Sequence, residues 1–110
     1  MARHPFPPAL IPLVAERFKA LAEPARLQIL SALRDGERTV GDLVDRTGLG
    51  QANVSKHLHL LRLAGFVARR KDGLFVRYRL ADRDVLQLCD LICGRIEAEA
   101  RAHRASLRAR

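Results

Sequence analysis

The sequence of 110 residues has only two cysteines, Cys89 and Cys93. Four residues apart, they do not form the framework of paired cysteines that staples small secreted domains. No stretch is apolar and long enough to span a bilayer, because Asp, Glu, Lys or Arg interrupts every candidate. An apolar run of signal-peptide type is missing too, since Pro5, Pro7, Pro8 and Pro12 break the start of the chain after Arg3. The expectation is a cytoplasmic protein with no membrane partner. Catalytic constellations are also missing. There is no Cys-x-x-Cys at a helix start to lower a thiol pKa, and no Ser-His-Asp or paired-carboxylate arrangement. One small domain leaves little room for a substrate cleft, so an enzyme is not expected, and a small thiol enzyme or metal-handling protein built on the two cysteines has little support. There are no internal repeats and no low-complexity segment beyond the proline-rich start.

Acidic residues are scarce in one region above all. From Gln51 to Leu80 seven Lys or Arg face a single acid, Asp72, giving +6 and leaving +2 of the formal +8 for the other 80 residues. Charge concentrated in this way favours a polyanionic partner, with counterion release on phosphate contact driving the binding. The bland alternative is a solvated basic surface.

That basic stretch opens with Gln51-Ala-Asn-Val-Ser-Lys-His-Leu-His-Leu-Leu-Arg. At 100° per residue Val54, Leu58 and Leu61 share one helical face, which must pack inward. Ala52, Lys56, His59 and Leu63 point the other way, with Gln51 and Ser55 on one flank. A short, polar face, cationic at its N-terminal end, suits the DNA major groove, where Gln and Asn read adenine edges and Lys and Ser reach bases or phosphates. Upstream, Thr39 to Gly50 reads as a shorter helix with Thr39 as N-cap, Asp42 completing a capping box and Gly48 as the stop. Two helices joined through Gly48-Leu49-Gly50 make a helix-turn-helix. Downstream, Phe66 to Leu80 reads as a hairpin folded about Asp72-Gly73. Leu74, Val76, Tyr78 and Leu80 would form its packed face, and Phe75, Arg77 and Arg79 the other.

Other elements frame this unit. Residues 1–8 read as a flexible proline-rich arm. Residues 9–104 form the winged helix DNA-binding and dimerisation domain, and 105–110 a basic C-terminal tail. A first helix from about Ala9 to Leu21 carries the stripe Ile11, Val14, Phe18, Leu21. A second starts near Pro24 and ends near Asp35-Gly36. In it Arg26 is either structural or a phosphate contact. The last helix, capped by Asp82 or Asp84, runs to about Arg104 with the stripe Val85, Leu88, Cys89, Ile92, Cys93, Ile96, Ala100 and His103. Within one chain nothing obvious covers the stripes of the first and last helices, and a two-fold dimer built from these terminal helices satisfies both. The fold class is therefore mainly α with a β-hairpin wing, a winged helix-turn-helix of five helices and two strands.

The run Val54-Ser-Lys-His-Leu-His-Leu-Leu-Arg-Leu-Ala-Gly-Phe-Val, with Arg69-Arg-Lys-Asp-Gly73, Tyr78-Arg-Leu80 and Ala22-Glu-Pro-Ala-Arg-Leu-Gln-Ile-Leu30, resembles the ArsR/SmtB family of small dimeric repressors. The resemblance covers roughly Val14 to Leu80. It implies a homodimer that represses a double-stranded DNA operator and releases it when an inducer binds. On this reading Gln51, Ala52, Asn53, Ser55 and Lys56 face bases, while His57, Arg62, Arg69, Arg70 and Lys71 hold the DNA backbone. For His57 the resemblance implies a phosphate or a helix-packing role. A non-specific architectural nucleic-acid binder is the competing reading, and the polar face Gln-Ala-Asn-Val-Ser-Lys argues for base reading instead.

Where a signal enters is open. Cys89 and Cys93 lie one helical turn apart on one face and can chelate a thiophilic metal or metalloid ion, with His103 on the same stripe as an extra ligand. They could also act as a redox pair, although helical residues one turn apart sit near the limit for bridging. The third reading is plain packing, because unpaired cysteine behaves as a small hydrophobe. Arsenite-sensing members of the resembled family often carry Cys-x-Cys before the recognition helix, and Val40-Gly-Asp-Leu-Val44 has none. The last-helix ligand pattern of zinc-sensing members lacks its histidine at Asp82-Arg-Asp84. Thiol-switch members pair a cysteine in the second helix with one in the last, and the second helix here has none.

Overall fold

The computed structural model describes residues 5–109. A 3-10 turn over Pro8–Leu10 leads into α1 (Ile11–Leu21), followed by α2 (Pro24–Ala32), α3 (Val40–Thr47) and α4 (Gln51–Leu63). Strands β1 (Val67–Asp72) and β2 (Phe75–Leu80) come next, and α5 (Asp84–Arg108) closes the chain. This is the expected order of a winged helix-turn-helix. Of the expected N-terminal arm, residues 1–4 lie outside the described residues, and Pro8 already belongs to the 3-10 turn.

Local chemistry accounts for most boundaries. Pro24 occupies the first turn of α2, where its fixed φ suits the helix and its missing N–H costs nothing. Helix α2 ends at Ala32, short of Asp35-Gly36, because the chain tightens there: the Arg34 N–H bonds to Ser31 O, three residues back. The capping box of α3 is present in full. Thr39 Oγ1 accepts from Asp42 N at 3.1 Å, and Asp42 Oδ2 accepts from Thr39 N at 3.0 Å. Gly48 ends α3 at φ +73, a left-handed conformation that glycine adopts without penalty.

The hairpin is displaced by one residue from the expectation. Asp72 pairs with Phe75, so the two-residue loop is Gly73-Leu74 and not Asp72-Gly73. Only Gly73 takes a positive φ, +61, which is the pattern of a II′ turn with glycine first. Leu74 is accordingly fully exposed at the loop tip and does not join the packed face. That face is kept by the half-buried Val76 and Tyr78 and the buried Leu80. An isolated bridge joins the hairpin to the α2–α3 connection: Arg38 exchanges backbone hydrogen bonds with Tyr78 at 2.9 and 2.8 Å.

The core lies between α2, α3, α4 and the base of the hairpin, with Ile29, Leu43, Val54, Leu58 and Leu61 at zero exposure. It extends to the first turn of α5 through Val85 and Leu86. There Asp82 Oδ1 accepts from Asp84 N at 2.6 Å, forming an Asx turn that launches the helix. Helix α5 then runs to Arg108, so the described part of the expected basic tail is nearly all helical and continuous with the last element. From Asp90 onward every described residue is exposed. A radius of gyration of 17.5 Å exceeds the roughly 13 Å expected of a compact chain this size, because α5 projects from the body. Ile92 and Ile96 on α5, and Ile11, Leu13 and Phe18 on α1, are each at least half exposed. No described helix is long and apolar enough to cross a membrane.

Candidate nucleic-acid interface

Helix α4 presents two faces. Val54, Leu58 and Leu61 are sealed in the core, while Gln51, Ala52, Asn53, Ser55, Lys56 and His59 are exposed on the other side. The partition follows the 3.6-residue period read from the sequence. Gly50 caps α4 without a side-chain hydrogen bond, so the first-turn N–H groups are left by the cap for an external acceptor. They carry the positive end of the helix dipole beside Gln51 and Asn53, an arrangement that favours an anion.

His57 is placed differently from the other expected backbone contacts. The residue is 8% exposed, and Nδ1 accepts a hydrogen bond from Arg26 Nε at 3.2 Å. Arg26 Nη1 also donates to Ala20 O at 3.0 Å, so one guanidinium joins the end of α1 to α4. Burial, and then the charges of Arg26 and Lys56, hold the His57 pKa below its ordinary value of 6.5. A neutral ring accepting at Nδ1 carries its hydrogen on Nε2. Of the two roles implied for His57, its burial corresponds to helix packing. Of the two roles expected for Arg26, structural or phosphate contact, these contacts correspond to the structural one.

In the wing, Arg69, Arg70 and Lys71 are all exposed, but they are not equivalent. Arg70 forks onto Glu37 in the α2–α3 connection, with Nε at 3.1 and 2.9 Å from the two carboxylate oxygens and Nη2 at 2.8 Å from Oε1. The contact holds the Glu37 carboxyl below its ordinary pKa. Arg77 is likewise engaged, its Nε 2.6 Å from Asp72 Oδ2. Arg69 and Lys71 have no ion-pair partner among the described residues. Arg62 is half-buried at the end of α4, with Nη2 3.5 Å from His59 Nδ1. Glu37 is the residue that sequence reasoning missed: no local pattern marks it, and its meaning comes from a partner 33 positions away.

Cys89 is half-buried and Cys93 exposed. Both line an open cleft of about 450 Å³ between α1, α2 and α5, with Phe18, Leu27, Leu30 and Ile92. Burial raises the Cys89 thiol pKa, and Cys93 and Asp90 add to the effect. No group of three His, Cys, Asp or Glu side chains able to hold a metal ion occurs among the described residues. Ten residues beyond Cys93, His103 lies about 15 Å further along the helix axis, too far to share an ion with it within one chain.

The sequence profile of the family described as "Bacterial regulatory protein, arsR family" matches residues 23–69, which span α2, the helix-turn-helix and the start of β1. An uncharacterized HTH-type transcriptional regulator of Mycobacterium tuberculosis is 45% identical over 80 residues, covering 72% of this chain and 70% of the relative. The chain belongs to the arsR family. The "Probable mercury resistance operon repressor" of Streptomyces lividans is 42% identical over 74 residues, covering 67% of this chain and 59% of that one. Among solved structures, the homodimeric winged helix-turn-helix DNA-binding domain from Mycobacterium bovis, described as a possible ArsR-family transcriptional regulator, superposes with a TM-score of 0.76. It is 36% identical, and the match covers 91% of this chain and 94% of that one. Within the arsR family, then, this chain is a winged helix-turn-helix transcriptional regulator whose matched segment is the unit that carries α4.

Proposed function

We propose that this regulator binds a DNA operator as a homodimer and acts as its repressor. Gln51, Ala52, Asn53, Ser55 and Lys56 read base edges in the major groove, and Arg62, Arg69 and Lys71 hold phosphates. The observation that carries the reading is the division of α4, which buries Val54, Leu58 and Leu61 while leaving its polar N-terminal face exposed. Support for the dimer comes from the apolar residues of α1 and α5 that stay half or more exposed, and from the homodimeric relative. Two copies related by a two-fold axis would read two half-sites about one helical turn, or a multiple, apart.

The test is fluorescence anisotropy on duplexes from the DNA upstream of the protein's own gene, with random-sequence duplexes as competitors. Gln51→Ala is expected to cost about 1–3 kcal/mol of discrimination for the cognate site while leaving binding to random DNA in place. Unchanged operator preference would remove Gln51 from the groove.

For the signal, the half-buried place of Cys89 in an apolar cleft, with its raised thiol pKa, supports packing as the role of that cysteine. A second reading is a thiophilic ion held by Cys89 and Cys93, which line the same cleft one helical turn apart. The same anisotropy assay, run reduced and then with arsenite, cadmium, zinc or copper(I), separates the two. Release by one ion, abolished in a Cys89→Ser/Cys93→Ser variant, would make the pair the sensor.

A further inference from the structure

The hairpin register sorts the wing cations by face. Arg70 lies opposite Arg77, Ala68 opposite Arg79 and Asp72 opposite Phe75, so Arg70, Arg77, Arg79 and Asp72 share one face. Arg69 and Lys71 alternate onto the other face, with Val76 and Tyr78 opposite them. Like charges directly opposite each other in a sheet repel, yet here Arg70 and Arg77 each have a carboxylate of their own. For Arg77 it is Asp72 on the neighbouring strand, and for Arg70 it is Glu37 from outside the hairpin.

Glu37 is not a loose surface acid. It precedes Arg38, whose backbone is bonded in both directions to Tyr78 in β2, and Arg38 precedes Thr39, the cap of α3. Backbone pairing to one strand and a side-chain fork to the other thus stitch the α2–α3 connection to both strands of the wing. The Glu37 side chain is 29% exposed, against 50% for that of Arg70. Arg79 and Arg77 also act on it, after Arg70. A bidentate guanidinium–carboxylate pair fixes geometry as well as charge.

We infer that Glu37 is a positioning residue for DNA binding: it holds Arg70 away from the phosphates and sets the wing so that Arg69 and Lys71 make the backbone contacts. The inference rests on the DNA-binding reading above. The count of phosphate contacts is then set by an acid outside both the recognition helix and the hairpin. Removing that acid releases a sequence-blind cation.

The salt dependence of DNA affinity reads this count, because each phosphate neutralised contributes about 0.9 to the slope of log K against log salt. The experiment measures this slope by anisotropy on an upstream duplex and on a random duplex of the same length. In the homodimer, where each substitution occurs twice, Arg69→Gln or Lys71→Gln is expected to flatten the slope by about 1.8, whereas Arg70→Gln leaves it unchanged. Glu37→Gln frees Arg70 in both protomers, steepens the slope by about 1.8 and tightens random DNA more than the upstream site, so the specificity ratio falls. The double variant Glu37→Gln/Arg70→Gln returns to the wild-type slope. A merely structural Glu37 would weaken binding without steepening the slope. The inference is overturned if Arg70→Gln alone flattens the slope, or if Glu37→Gln leaves it where it was. Wild-type protein that binds neither duplex would overturn the DNA-binding reading itself.

Discussion

Helix α4 is a core element and, on the proposed reading, also the reading head, and two substitutions one turn apart or less separate the roles. Leu58 is fully buried on the inner face. Replacing it with alanine removes three carbons, worth about 0.8 kcal/mol each on transfer, so the transfer part alone is roughly 2.4 kcal/mol. The cavity left behind adds to this, and buried Leu→Ala changes span about 2.7–5 kcal/mol. For a small domain with a net stability of about 5–15 kcal/mol, Leu58→Ala should be among the most damaging single changes in α4. Lys56, two residues away on the outer face, is exposed, and Lys56→Ala should change stability by no more than about 0.5 kcal/mol. Its effect should appear in DNA affinity instead. Urea unfolding followed by circular dichroism gives the stabilities, at several protein concentrations because the proposed dimer would make them concentration-dependent. Anisotropy gives the affinities. A Leu58→Ala cost below about 1 kcal/mol, or a Lys56→Ala variant that loses stability but not DNA affinity, would refute the two-face assignment.

Three further outcomes are expected. Gly48→Ala places a Cβ at φ +73, where nothing lies within 4 Å, so its cost is backbone strain alone, about 1–2 kcal/mol, measurable in the same urea assay. His57 has its pKa depressed in the folded protein, chiefly by burial, so the unfolded chain takes up its proton first as pH falls. Its contribution to stability is intact above the ordinary value of 6.5 and declines as pH drops from there toward the folded-state pKa. NMR titration of the ring and the pH dependence of unfolding check this, and the decline should shrink in His57→Gln. Ile92→Glu/Ile96→Glu puts charges on the exposed apolar stripe of α5, and sedimentation equilibrium should show a shift from dimer to monomer with the fold retained.

How far the sequence reaches depends on the range of the forces involved. The capping box of Thr39 and Asp42, the left-handed stop at Gly48 and the burial of Val54, Leu58 and Leu61 were all legible, because caps, positive φ and helical period act within a few residues. The hairpin was legible to within one residue. A Gly takes the positive-φ place, but either of two registers could supply it, and the pairing of Asp72 with Phe75 decided between them. Exposure of the α4 outer face and of the wing cations also followed from pattern alone. What the tertiary structure alone decided is which charged groups are spoken for. Arg26 reaches His57 across 31 positions and Arg70 reaches Glu37 across 33. Such pairings depend on how α2, α4 and the wing are brought together by the shared core, and no local spacing encodes them. The sequence by itself determined a basic wing and a helix with an exposed polar face; the packing determined that Arg69 and Lys71 carry no acidic partner among the described residues while Arg70 does, because only folding brings the Glu37 carboxylate within reach.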